Sequence, residues 1–141
     1  MVVWGVVNVV CLLQAIGFAT RVFAPAVNPI LGVGIVAAAI PATYALVVFW
    51  RAHSGWLLVV GPLVFDAFVA LHVVVDWILD VEWRDPPMPL VQIPYLVLLF
   101  GGIVLMGIPM FRLDRRRWGV TVVSAALLIA AMLYAMSRGV G

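Results

Sequence analysis

The chain has 141 residues, of which 67% are hydrophobic and only 10% charged. An average soluble domain carries about 25% charged residues, and one of this length has too little interior to hide so much apolar surface. A soluble globular fold is therefore excluded, and lipid is the natural solvent for a single domain. All eight basic residues are arginine and the net charge is +2, with Arg115, Arg116 and Arg117 the one basic run. That triplet reads as a membrane-flanking anchor, and nucleic acid, which needs a broad basic face with stacking aromatics, is excluded as a partner.

The first apolar run covers residues 2–20. It has no basic residue ahead of it and is long for a signal-peptide core, so it reads as a retained helix. Cys11, the single cysteine, sits in this run as an inert apolar side chain, and no multi-cysteine metal site exists. The stretch RVFAPAVNP then breaks the pattern with turn chemistry, and Pro25 and Pro29 fall where a backbone N–H is dispensable.

A second run covers 30–50, with Pro41 placed to kink it, and ends at RAHSG. The third covers 56–79, and DVEWRDPPMP separates it from the fourth, 90–111, which Pro94 and Pro109 bracket. RLDRRR leads into the fifth, 118–137. Each run is long enough to span a bilayer, since a span takes about 20 residues. The expected fold is all-α, a polytopic bundle of about five transmembrane helices, with four as the alternative. Gly101, Gly102 and Gly107 leave room for a close neighbour on the fourth helix. Ala126 with Ala130 and Ala131 with Ala135 give small-xxx-small spacing on the fifth. Such spacing suits a compact bundle and is compatible with a homo-oligomer or a larger membrane assembly. The expected partner is the lipid bilayer.

Arginine content of short loops sets orientation. With five spans, Arg51, Arg112, Arg115, Arg116 and Arg117 share the side of the N-terminus. Arg21, Arg84 and Arg138 lie on the other, with Asp80, Glu82 and Asp85. The rule puts the N-terminus in the cytoplasm and the C-terminus outside, in the cell membrane if the cell is prokaryotic. Trp4, Trp50, Trp56, Trp77, Trp83 and Trp118 all fall near helix ends, as interfacial aromatic belts do.

The third run carries the chemistry. At about 100° per residue with Asp66 at zero, His72, Asp76 and Asp80 fall near 240°, 280° and 320°, one arc of about 120°. Val60, Val64, Ala67, Leu71, Val74, Val75 and Ile78 form the opposite, lipid-facing stripe. Asp66 sits near the middle of the span and His72 about 9 Å further out. A charge at helix centre costs about 2.5–3.5 kcal/mol on insertion scales, so Asp66 is expected to point into the bundle and to find a polar partner. The candidates are Asn8, Gln14, Thr43, Tyr44, Gln92, Tyr95, Thr121, Ser124 and Tyr134. His72 and Asp76, one turn apart, are expected to pair.

Titratable groups at successive depths are what proton relays and cation pathways use, and histidine is the side chain whose unperturbed titration lies nearest neutral pH. The leading expectation is a proton- or cation-coupled transport component, with Asp66, His72, Asp76 and Asp80 along the pathway; the same groups holding helices together is the bland alternative. Two other classes stay open. A membrane enzyme acting on a lipid or isoprenoid would use Asp76 and Asp80, spaced D-x-x-x-D, to hold Mg²⁺ and a diphosphate, with His72 as base or extra ligand. A binding or accessory protein would hold an apolar ligand that these acids recognise through an amine or hydroxyl. No motif specifies a cofactor. His53, the other histidine, lies at the opposite end from His72, which argues against a bis-histidine haem. Asp80, Glu82, Arg84 and Asp85 read as a solvated loop.

Overall fold

A computed structural model of the chain describes residues 1–81 and 88–139. Glu82, Trp83, Arg84, Asp85, Pro86 and Pro87, and with them most of the acidic loop, lie outside the described residues. Among the described residues the fold is an all-α bundle of five helices, each long and apolar enough to cross a membrane. We label them α1 (Val2–Phe23), α2 (Asn28–Arg51), α3 (Trp56–Val73, continued by a π-helical turn, Val74–Ile78), α4 (Pro89–Leu113) and α5 (Arg115–Ser137). A short 3₁₀ turn, Pro25–Val27, joins α1 to α2.

Three helices, α2, α4 and α5, begin one to three residues before the expected starts because the turn residues are used inside first turns. Pro29 and Pro89 occupy the opening turns of α2 and α4, where a missing N–H leaves nothing unsatisfied. Arg115, Arg116 and Arg117 belong to α5 itself. Asp114 caps that helix, its carboxylate accepting from the backbone N–H groups of Arg116 (3.0 Å) and Arg117 (3.3 Å), as an N-cap aspartate does. Pro94 and Pro109 lie within α4 rather than at its edges, Pro41 lies inside α2, and Pro62 lies inside α3.

Neighbours in the chain pack side by side, α1 on α2, α2 on α3, α3 on α4 and α4 on α5, and α5 closes back on α1. With an odd number of spans, that closing pair is parallel. α1 also reaches α4 across the middle, and it is the most enclosed span, α5 the least. Cys11 is fully buried in α1.

Two seams use close approach. On the α3–α4 seam, a Cβ at Gly61 of α3 would lie 2.9 Å from the Met106 backbone nitrogen, and one at Gly102 of α4 would lie 3.2 Å from Cα of Phe65. Backbones meet at that distance only through glycine, as small residues allow in lipid, where packing rather than water expulsion drives helix association. On the parallel α1–α5 seam the contact is polar. Asn8 donates to Thr121 Oγ1 (3.2 Å) and accepts from Ser124 Oγ (2.8 Å). Trp4 Nε1 donates to the Arg117 carbonyl (3.0 Å).

The lipid-facing stripe expected on α3 holds at Ala67, Val74 and Ile78, which are exposed. Val75 departs from it and is buried. The π turn that begins at Val74 advances less than 100° per residue, so an ideal α wheel no longer places side chains beyond that point.

Candidate functional site

The core-facing side of α3 is read from its buried residues: Gly61, Pro62, Phe65, Phe68, Val69 and His72. Their mean direction lies about 100° from Asp66 on the helical wheel and close to His72 and Asp76. The arc shared by the four ionisable residues therefore straddles the edge of the core face. His72 and Asp76 go inside, Asp66 lies on the flank, and Asp80 leaves the helix.

His72 is buried, 6% exposed. Its Nδ1 lies 2.6 Å from Asp76 Oδ2, a charge-assisted contact at the short end of the range. The pair sits where α3 widens into its π turn, a feature that recurs at functional sites. The Tyr95 hydroxyl of α4 lies 3.4 Å from the same Nδ1. Aromatic rings enclose the imidazole: Phe68 stacks one turn below with centroids 6.2 Å apart, and Trp77 and Tyr95 approach at 6.1 Å. Phe68 and Tyr95 meet edge to face at 4.9 Å.

On its far side the ring leans on α2 at Gly32. A Cβ there would come 3.1 Å from His72 Nε2 and 4.0 Å from Trp77 Nε1, so the missing side chain makes room for the histidine. Nε2 is buried and has no hydrogen-bond partner. With Nδ1–H donated to a carboxylate, a neutral imidazole presents its lone pair at Nε2.

Asp66 stands apart. Its Oδ2 accepts from Thr43 Oγ1 of α2 (3.0 Å), while Oδ1 is buried without a partner. Asp66 is half-buried and Thr43 exposed, so the carboxylate occupies the rim of the α2–α3 seam and not the bundle centre expected of it. The wheel gives the reason, because the apolar rings of Phe65 and Phe68 claim the inward direction. Asp66 is not hydrogen-bonded to His72, and about 9 Å of helix rise separates them.

Of the other candidate partners, Thr43 serves Asp66 and Tyr95 serves His72. Asn8, Thr121 and Ser124 form the separate α1–α5 network. Tyr44 is 64% exposed on α2 and Tyr134 is exposed on α5, both turned away from the interior. Gln92 is half-buried near the start of α4. Gln14 is buried in α1, its Nε2 without a partner.

Asp80 is exposed, with φ +46°, beyond the last helical turn. Asp76 is turned to His72 instead, so the two aspartates of D-x-x-x-D do not share a helix face. Among the described residues no three acidic, histidine or cysteine side chains cluster in a metal-binding arrangement. Two contributors escaped sequence reasoning: Gly32, whose signal was a lone glycine opposite a histidine on another helix, and Trp77, which read as a belt residue.

No family model, curated protein or solved structure matches this chain.

Proposed function

We propose that this chain is a proton- or cation-coupled component of a membrane transport process, with its N-terminus in the cytoplasm and the π turn of α3 near the outer surface. The observation that carries the reading is the buried His72–Asp76 pair, 2.6 Å apart, whose remaining imidazole nitrogen is unpartnered. Intramembrane ionisable groups held at a cost to insertion mark ion and proton pathways by default. A purely structural pair gains nothing from leaving Nε2 unsatisfied, because a buried polar atom without a partner is destabilising.

In this reading the pair loads from the outer side, where Asp76 sits on the last turn of α3. The proton rests on Nε2, and Asp76 stabilises the imidazolium. Onward transfer runs toward Asp66, whose unpartnered Oδ1 is the receiving atom. The separation of about 9 Å along the helix is too long for direct transfer, so water entering the α2–α3 seam completes the path. Asp80 lies at the mouth as a solvated acid that draws cations to the outer end. Tyr95 and the surrounding rings fix the imidazole plane and keep lipid from it.

The test is flux in reconstituted liposomes under an imposed pH gradient, read by an entrapped pH dye. Wild-type protein dissipates the gradient faster than empty vesicles. Asp66→Asn and His72→Gln, each verified as folded by circular dichroism and gel filtration, reduce the rate to background. Wild-type flux in both folded variants removes these residues from any conduction path and with them the reading.

A further inference from the structure

At the end of the molecule opposite His72, the α2–α3 turn forms a groove of ≈ 750 Å³, a size typical of small-molecule sites. We propose that this groove is a binding site for an anionic phospholipid, with the headgroup phosphate at the turn and an acyl chain lying along the α2–α3 seam. The site stands independently of the transport reading.

The chain makes the turn in an unusual way. His53 adopts φ +48°, a left-handed conformation that helix C-termini ordinarily reserve for glycine. Ser54 N–H donates to the Phe49 carbonyl (3.0 Å) and His53 N–H to that of Trp50 (3.2 Å), closing the helix end. The His53 ring folds back, its Nδ1 donating to the Arg51 carbonyl (3.2 Å). A histidine held at a glycine position keeps an imidazole at the rim, next in the chain to Ser54 and two residues from Arg51. All three line the groove.

Its walls match the rest of a lipid. Trp50 and Trp56, 71% and 67% exposed, flank the turn at headgroup depth, where indole rings are favoured. Phe49, Val59 and Val60 line the groove further along the two helices, toward the membrane interior. The lining thus grades from cation and hydroxyl donors to apolar side chains over the distance at which a phospholipid grades from phosphate to hydrocarbon.

Charge selects the lipid class. Among the described residues no acidic side chain lines the groove. The antiparallel α3–α4 contact brings the α4–α5 turn to this same end, with Arg112, Arg115, Arg116 and Arg117 against the single acid Asp114, already engaged as a cap and in contact with Arg117 (3.2 Å). A basic surface of this kind attracts anionic lipid. A zwitterionic headgroup would bring its own cation to a rim that already holds Arg51.

The experiment is native mass spectrometry of the full chain in mild detergent, titrated with phosphatidylglycerol or with phosphatidylcholine of matched chains. One molecule of phosphatidylglycerol is retained per protein, in preference to phosphatidylcholine. Arg51→Gln weakens that first binding event about fivefold, the factor that one charge at the membrane surface supplies. Trp56→Ala weakens it as well, by loss of the apolar wall. Arg138→Gln, past the far end of α5 and so at the opposite end of the bundle, leaves the first event unchanged, and millimolar inorganic phosphate does not displace the lipid. Equal retention of both lipids overturns the proposal. So does a preference that survives Arg51→Gln undiminished, or displacement by phosphate alone.

Discussion

Replacing Gly32 by alanine puts the packing of His72 to a quantitative test. The new methyl carbon lies 3.1 Å from Nε2 and 3.6 Å from Cε1 of the imidazole, whereas carbon contacts find their optimum near 3.5–4.0 Å. The ring must retreat by several tenths of an ångström. Retreat is resisted by the 2.6 Å contact to Asp76 and by the rings of Phe68 and Tyr95. Overpacking of this kind costs about 1–3 kcal/mol, and replacing a mid-helix glycine returns about 1 kcal/mol of helix propensity. The net expectation is a loss of about 0–2 kcal/mol in the native background. In a His72→Ala background the obstacle is gone and Gly32→Ala becomes stabilising by about 1 kcal/mol. The double-mutant cycle therefore carries a coupling of about 1–3 kcal/mol, measured by dodecyl sulfate titration of detergent-solubilised protein with tryptophan fluorescence as the readout. A coupling within about 0.5 kcal/mol of zero, the additivity expected of independent sites, refutes the claim that the glycine exists to admit the histidine.

The same titration reads two further seams. Gly61→Ala places a carbon 2.9 Å from a backbone nitrogen of α4, which cannot rotate away as a side chain can, so the loss reaches the upper part of about 1–3 kcal/mol. Gly5→Ala, with nothing within 4 Å, is its control and is neutral to stabilising. Asn8→Ala removes the bonds to Thr121 and Ser124 and weakens the α1–α5 seam by about 1–2 kcal/mol, given interhelical bonds of about 0.6–1.7 kcal/mol each. An unchanged midpoint in either Gly61→Ala or Asn8→Ala contradicts the corresponding contact.

The spans were legible in the sequence because lipid imposes a simple rule: about 20 apolar residues per crossing, with charge and proline between. All five appear as helices, and their ends shifted by few residues. The i, i+4 spacing of His72 and Asp76 likewise announced their pairing. What stayed hidden depends on rotation and on partners from other helices. A wheel drawn on α3 alone assigns an arc but not its centre, so Asp66 seemed to point inward when Phe65 and Phe68 hold that direction. The π turn at Val74 left no compositional mark, although it governs where Val75 and Asp76 point. Gly32, Thr43 and Tyr95 became members of sites only through the tertiary arrangement of α2 and α4 around α3.

The central claim is that the buried imidazole exchanges protons with the outer aqueous phase. It is tested most directly by ¹⁵N NMR of histidine-labelled protein in vesicles of uniform orientation, with the pH on each face set separately. His53, on the turn at the other end, is the internal control. The account predicts that His72 signals respond when only the outer pH is changed, that His53 responds only to the inner pH, and that the Nδ1 signal of His72 moves in Asp76→Asn. A His72 that follows the inner pH, or neither, contradicts the account.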